Sequence, residues 1–255
     1  MVRTRQPTIG RALTRVEEEI EIVEAEREAF ARFLARLEDA SATAFDATGP
    51  ATGGGSTALT TGDARQSAEL RQIRQAYRET VMALPHYERE YGDTLRESLA
   101  EELGETLAGH LVDGQVLAPP VREALVAAVE RARDDRGQFR GLLRRERASL
   151  ETVASDLNDI EARLVELEAR VSAASESGRL AAIDSTLAEL EQQCTDLATA
   201  RQETIHGRTA RQVSGVDGCS LVGYLYGDME TTTPALSDAA SCLDSIRHQR
   251  RRCLR

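Results

Sequence analysis

The feature that most constrains this chain is a run of apolar residues at alternating spacings of three and four. It reads Leu150, Val153, Leu157, Ile160, Leu164, Leu167 and Val171, with no proline or glycine between them. A strand alternates its faces with period two, so a stripe of this kind serves a helix that has a partner. Ser175-Glu176-Ser177-Gly178 then marks a turn, and Leu180, Ile183, Leu187, Leu190, Cys194 and Leu197 resume the rhythm. A short connection between two such helices predicts an antiparallel hairpin over 120–206. Val171 should face Leu180 near the tip, and Leu150 should lie near the level of Arg201.

The same long helix is expected to open at Pro119-Pro120 and run from Val121 to about Ala173, roughly 80 Å at 1.5 Å per residue. Its upstream seam is Val121, Leu125, Ala128, Ala132 and Phe139, with a phase shift near Leu142-Leu143 that reads as a stutter. A first helix should span about Ile9 to Asp39. Its seam is Leu13, Val16, Ile20, Val23, Phe30, Leu34 and Leu37, interrupted only by Arg27, under a coat of glutamates. A charge at a seam position either sets register or partner choice, or snorkels its head to water. Ser41 to Gly62, with Gly49-Pro50 and Gly53-Gly54-Gly55, reads as a linker spanning on the order of 25 Å, long enough for the first helix to dock at home or on a second chain.

Between linker and hairpin, a helix from near Asp63 carries Leu70, Ile73, Tyr77, Val81 and Leu84 until Pro85 breaks or kinks it. Gly92-Asp93 reads as a stop and N-cap. Leu95, Leu99, Leu103, Leu107 and Leu111 follow, but Gly104 and Gly109 each cost about 1 kcal/mol in a helix, which favours two short helices. After Ile205 the pattern stops and His206 to Gly218 looks like loop. Leu221 to Tyr226 is a short helix or strand, and Thr233-Pro234 opens a last helix with Leu236, Ala239, Leu243 and Ile246. The expected fold is all-α: a long antiparallel helical hairpin, coiled-coil-like, with shorter packed helices and a tethered N-terminal helix. The segments are 1–40 (helix), 41–62 (linker) and 63–255 (helical body with the last helix at 234–254).

Composition narrows the chemistry. The net charge is −11, and all 32 basic residues are arginine; there is no lysine. That excludes a P-loop with its phosphate-binding lysine, a protein kinase and Schiff-base catalysis. Aromatics are 4% with no tryptophan, too few for extensive stacking platforms. Dense carboxylates, arginine without lysine, and much alanine and threonine point to a salt-filled cell interior, where acidic surfaces keep chains soluble; a GC-rich genome is the plainer account of the missing lysine. Four cysteines without tight spacing fit a reducing cytoplasm. No run of 18 apolar residues exists, and Met1 to Gly10 lacks an apolar leader core, so neither a membrane span nor secretion is expected.

The stretches Ala76-Tyr77-Arg78-Glu79-Thr80-Val81-Met82-Ala83-Leu84-Pro85-His86-Tyr87 and Gly223-Tyr224-Leu225-Tyr226, then Pro234-Ala235-Leu236, resemble a family of helical cytoplasmic proteins from halophilic archaea, a domain of unknown function. The resemblance covers nearly the whole chain. It implies a cytoplasmic haloarchaeal origin and a helical fold, and brings no function, cofactor or catalytic residue to carry over.

Candidate sites are few. His86 with Tyr87 and Tyr91, beside Glu88 and Glu90, is the most enzyme-like cluster, because a histidine held by a glutamate acts as a general base. The plainer reading is a helix end with packed tyrosines. Cys194, Cys219, Cys242 and Cys253, with His206 and His248, have spacings too long for a recognisable zinc site, and Cys194 suits a seam position; no metal or cofactor is expected. Arg247, Arg250, Arg251, Arg252 and Arg255 form a basic tail that would meet phosphates or anionic lipid, or else a helix C-terminus and nearby glutamates. The expected function is non-enzymatic: a helical interaction or scaffold protein that recruits itself or another protein through its seams. The alternative is a nucleic-acid or membrane-surface adaptor using the tail, with nucleic acid disfavoured because salt competes for phosphates.

Overall fold

The computed structural model describes residues 8–46, 58–87, 92–173, 177–209 and 221–253. Among them there are eight helices and no strand: α1 (Thr8–Asp46), α2 (Ala58–Thr80), α3 (Leu95–Leu103), α4 (Glu105–Asp113), α5 (Pro119–Ala173), α6 (Ser177–Thr209), α7 (Leu221–Tyr226) and α8 (Pro234–Cys253). The all-α class and the long helix pair agree with the periodicity. The chain divides into two compact units, one of Glu21–Gly141 and one of Met1–Ile20 with Leu142–Arg255. Both divisions fall inside helices, α1 and α5.

Several boundaries differ from expectation. α1 continues to Asp46 because 41–46 contains neither glycine nor proline; those begin at Gly49-Pro50. α2 starts at Ala58, upstream of Asp63, since Gly62 alone does not stop it. Residues 47–57, including the triple glycine, lie outside the described residues. α6 runs to Thr209, past the expected stop at Ile205, while 210–220, with the rest of the predicted loop, also lie outside them. Leu221–Tyr226 is helix rather than strand.

In the unit of residues 21–141, α2 ends at Thr80. Pro85 has no amide hydrogen and disfavours helical geometry at Leu84, and the Tyr77 carbonyl accepts from both Val81 N (2.9 Å) and Met82 N (3.2 Å) as the turn loosens. α3 opens on Thr94 rather than Asp93: the Thr94 side chain accepts from Glu97 N, and Glu97 answers on Thr94 N at 2.8 Å, a complete capping box. Gly104, at φ 96° and ψ 147°, separates α3 from α4, so the two-helix reading holds. Its backbone conformation is open essentially to glycine alone. α5 starts on Pro119, where a missing amide costs nothing, and the Ala118 carbonyl takes Val121 N and Arg122 N. Phe33 meets Tyr77 edge-on at 5.2 Å between ring centroids. Around them Leu70, Ile73, Leu99, Leu111, Leu125 and Val129 are buried.

In the other unit, Arg201 of α6 meets Glu146 and Ser149 of α5, and Arg163 of α5 meets Gln193 of α6 at 3.2 Å. These pairs establish the antiparallel hairpin and put Arg201 at the level expected for Leu150. α8 is antiparallel to α6: Ala239 lies at Cys194, Arg247 at Glu191 and Arg250 at Asp184. The first turns of α1 run antiparallel to α5, with Arg147 on Glu17. Ile9 N donates to Asp238 Oδ2 at 2.8 Å, so a carboxylate from the last helix satisfies an orphan amide of the first. The hairpin seam is buried from Leu150 to Val171 and from Ile183 to Cys194, with Leu180 and Leu197 half-buried.

Candidate functional site

Burying apolar stripes leaves a few charged side chains inside each unit, and these are the groups capable of chemistry. In the unit of residues 142–255, Glu146 and Arg201 are 1% and 3% exposed. Arg201 Nη2 donates to Glu146 Oε1 at 2.6 Å, Nη1 donates to Oε2 at 3.2 Å, and Nη1 also reaches Ser149 Oγ at 2.9 Å. The buried Tyr226 hydroxyl of α7 donates to Glu146 Oε1 at 2.7 Å. Both partners continue the three-four rhythm: Leu143, Glu146, Leu150 on one helix, Cys194, Leu197, Arg201 on the other. Sequence reasoning missed the pair because it followed apolar residues only.

In the unit of residues 21–141, α1 supplies Glu24 and Glu26, and α5 answers with Arg136 and Arg140. Arg136 Nε donates to Glu26 Oε2 at 3.0 Å and Nη2 to Glu102 Oε1 at 2.6 Å, and Arg140 is bound to Glu24. The Arg136 guanidinium also lies 4.5 Å from the Phe30 ring centroid, a cation–π contact. Burial pushes the Glu102 carboxyl above its ordinary value, with Arg136 opposing. The hydrogen bond from Arg140 holds Glu24 below its own.

His86 belongs to this network. Its Nε2 lies 3.2 Å from Glu26 Oε1, so the histidine's carboxylate comes from α1, sixty positions upstream, rather than from Glu88 or Glu90. Tyr87 is buried; Tyr91 lies outside the described residues. An imidazole held by a carboxylate is the arrangement of a general base. Here the second carboxylate oxygen binds Arg136, so Glu26 joins α1, α5 and the turn after α2.

The first-helix seam is closed within the chain. Val16, Val23, Phe30, Leu34 and Leu37 are buried, and Ile20 is half-buried. Arg27 pairs with Glu24 at 3.0 Å, and its Nε lies 3.8 Å from where a Cβ at Gly137 would stand, so its stem crosses α5 at a residue without a side chain. The basic tail is also engaged. Arg247 and Arg250 bind Glu191 at 2.7 and 2.8 Å, Arg250 binds Asp184 at 3.0 Å, and Arg252 binds Glu168 at 3.3 Å. Arg251 is exposed in the last turn, and Arg255 lies outside the described residues. The unit of 1–20 and 142–255 contains a cleft of about 390 Å³, lined by Ile9, Leu13, Leu157, Glu161, Asp238 and Ser241 among others. Among the described residues, no three histidine, cysteine or acidic side chains converge to hold a metal ion, and no helix is long and apolar enough to cross a membrane. Cys219 and the side chain of His206 lie outside them.

Helices tied by buried and part-buried arginine–carboxylate networks define an all-α helix-bundle protein. Residues 7–250 match DUF7260, a domain of unknown function, and the chain belongs to that family. No curated protein and no solved structure matches it. The match spans nearly the whole chain, as the resemblance implied.

Proposed function

We propose that this is a non-enzymatic helical interaction or scaffold protein of a salt-filled archaeal cytoplasm. The observation that carries the reading is the use made of its buried and part-buried charges. Glu146–Arg201–Tyr226 in one unit and His86–Glu26–Arg136–Glu102 in the other each tie two or more helices together. Buried pairs add little net stability but penalise any shifted register, which suits a frame that presents a fixed surface. With the α1 seam closed within the chain, recruitment falls to outer faces, where Val165 is 66% exposed. Pairing of Arg247, Arg250 and Arg252 with carboxylates favours this reading over an adaptor for phosphates or lipid.

The test uses the purified full chain in molar potassium chloride. Crosslinked capture from a matching lysate should return one protein that rebinds stoichiometrically when both are pure, with Val165→Glu weakening the complex at unchanged helicity. Turnover of a metabolite by the purified chain, with no protein retained, overturns the reading.

A further inference from the structure

Two thiols meet where α6 packs on α8. Cys194 is fully buried and Cys242 is 3% exposed, and both are free. The small buried residues Ala235 and Ala239 share the α8 face with Cys242, which lets the two helices approach closely. Cys194 Sγ donates to the Ala239 carbonyl at 3.4 Å, one turn before Cys242. The two thiols lie close enough across the helices for each to shift the acidity of the other. Packing alone would be met as well by alanine or leucine; facing sulfurs from two helices add a reaction.

We propose that Cys194 and Cys242 form a thiol–disulfide switch, closed by a low-molecular-weight disulfide, that covalently joins α6 to α8. The Cys194 thiolate attacks one sulfur of the small disulfide RSSR; the S–S bond breaks and RS⁻ leaves and takes a proton. The Cys242 thiolate then attacks the Cys194 sulfur of the mixed disulfide, and the second RS⁻ leaves. Two protein thiols are oxidised to one disulfide, and RSSR is reduced to two RSH.

The surroundings assign the roles. The neighbouring Cys242 holds the Cys194 thiol below its ordinary value, with the Arg247 charge adding to it, while Cys194 and burial push Cys242 up. The thiol with more thiolate is the attacking one. Neither thiol lines the cleft of this unit and both are buried, so the small disulfide reaches them when the packing of α8 on α6 opens locally. This switch goes beyond the scaffold reading and stands whether or not a partner is found.

The experiment treats the native full chain with oxidised glutathione in molar potassium chloride, alkylates the remaining thiols and maps the cysteines by peptide mass spectrometry. The expected product is one Cys194–Cys242 linkage, reversed by dithiothreitol, with a thermal midpoint several degrees above that of the reduced protein. Cys242→Ala should stop at a glutathione adduct on Cys194, and Cys194→Ala should react far more slowly. The wild-type map reads the pairing even if a variant fails to fold. Linkage of either residue to Cys219 or Cys253, or linkage that forms only in denaturant, overturns the proposal.

Discussion

Arg201 and Glu146 face each other across the hairpin, each at a seam position where leucine would be expected, and both are almost completely buried. Their two-pronged contact fixes the register of α6 on α5 more narrowly than the leucines above it, which tolerate a slip of one heptad.

Arg201→Met removes the guanidinium that faces the buried Glu146 carboxylate, and the unit should lose about 3–5 kcal/mol. Pairing it with Glu146→Leu should restore most of the loss, because two apolar side chains pack where two charges were. Urea unfolding of the three proteins measures this; a double variant as unstable as Arg201→Met would show that the pair itself holds the fold.

Gly104→Ala and Gly109→Ala should have opposite effects, although a Cβ at either position meets nothing within 4 Å. Gly104 sits at φ 96°, so alanine there should cost about 1–3 kcal/mol of backbone strain. Gly109 lies inside α4, where alanine should add about 1 kcal/mol. Thermal melts with opposite shifts verify the assignment.

Acid should weaken the contact of α8 with α6. Hydrogen bonds from Arg247 and Arg250 hold the Glu191 carboxyl below its ordinary value of 4.5. A depressed acid stabilises the fold fully above the ordinary value and loses that contribution as pH falls through the depressed one. The thermal midpoint should therefore drop on acidification below pH 4.5. Glu191→Gln should start lower at neutral pH and decline less steeply. A slope identical to that of the parent would remove Glu191 from the account.

Salt should stabilise the protein. With a net charge of −11, self-repulsion is strong in dilute buffer, and at molar salt the screening length shrinks to about 3 Å. The melting midpoint should rise by several degrees between dilute and molar potassium chloride. A fall would place the exposed arginine pairs ahead of the repulsion and count against adaptation to brine.

Most of the fold was legible because it is written in local rhythm. Leu150 to Cys194 recorded its period without help from the rest of the chain, and Pro85, Gly104 and Pro119 act on their own backbone. The sites were less legible. His86 finds its carboxylate in Glu26, Cys194 meets Cys242, and Arg136 bridges Glu26 and Glu102; each pairing is created by packing between helices far apart in sequence. One signal was present in advance. Glu146 and Arg201 occupy seam positions, and a stripe read by spacing rather than by hydrophobicity would have matched them. Helix ends erred where a glycine such as Gly62 stood without proline.

The bond between Ile9 and Asp238 also bears on how the protein is born. Residues 21–141 are contiguous, so that unit is able to condense while the ribosome is still at work. The other unit draws on 1–20 and 142–255, and its opening amide waits for a carboxylate translated more than two hundred codons later. Ile9 thus leaves the ribosome long before the helix that anchors it, and a nascent chain halted before α8 would leave that amide without its carboxylate.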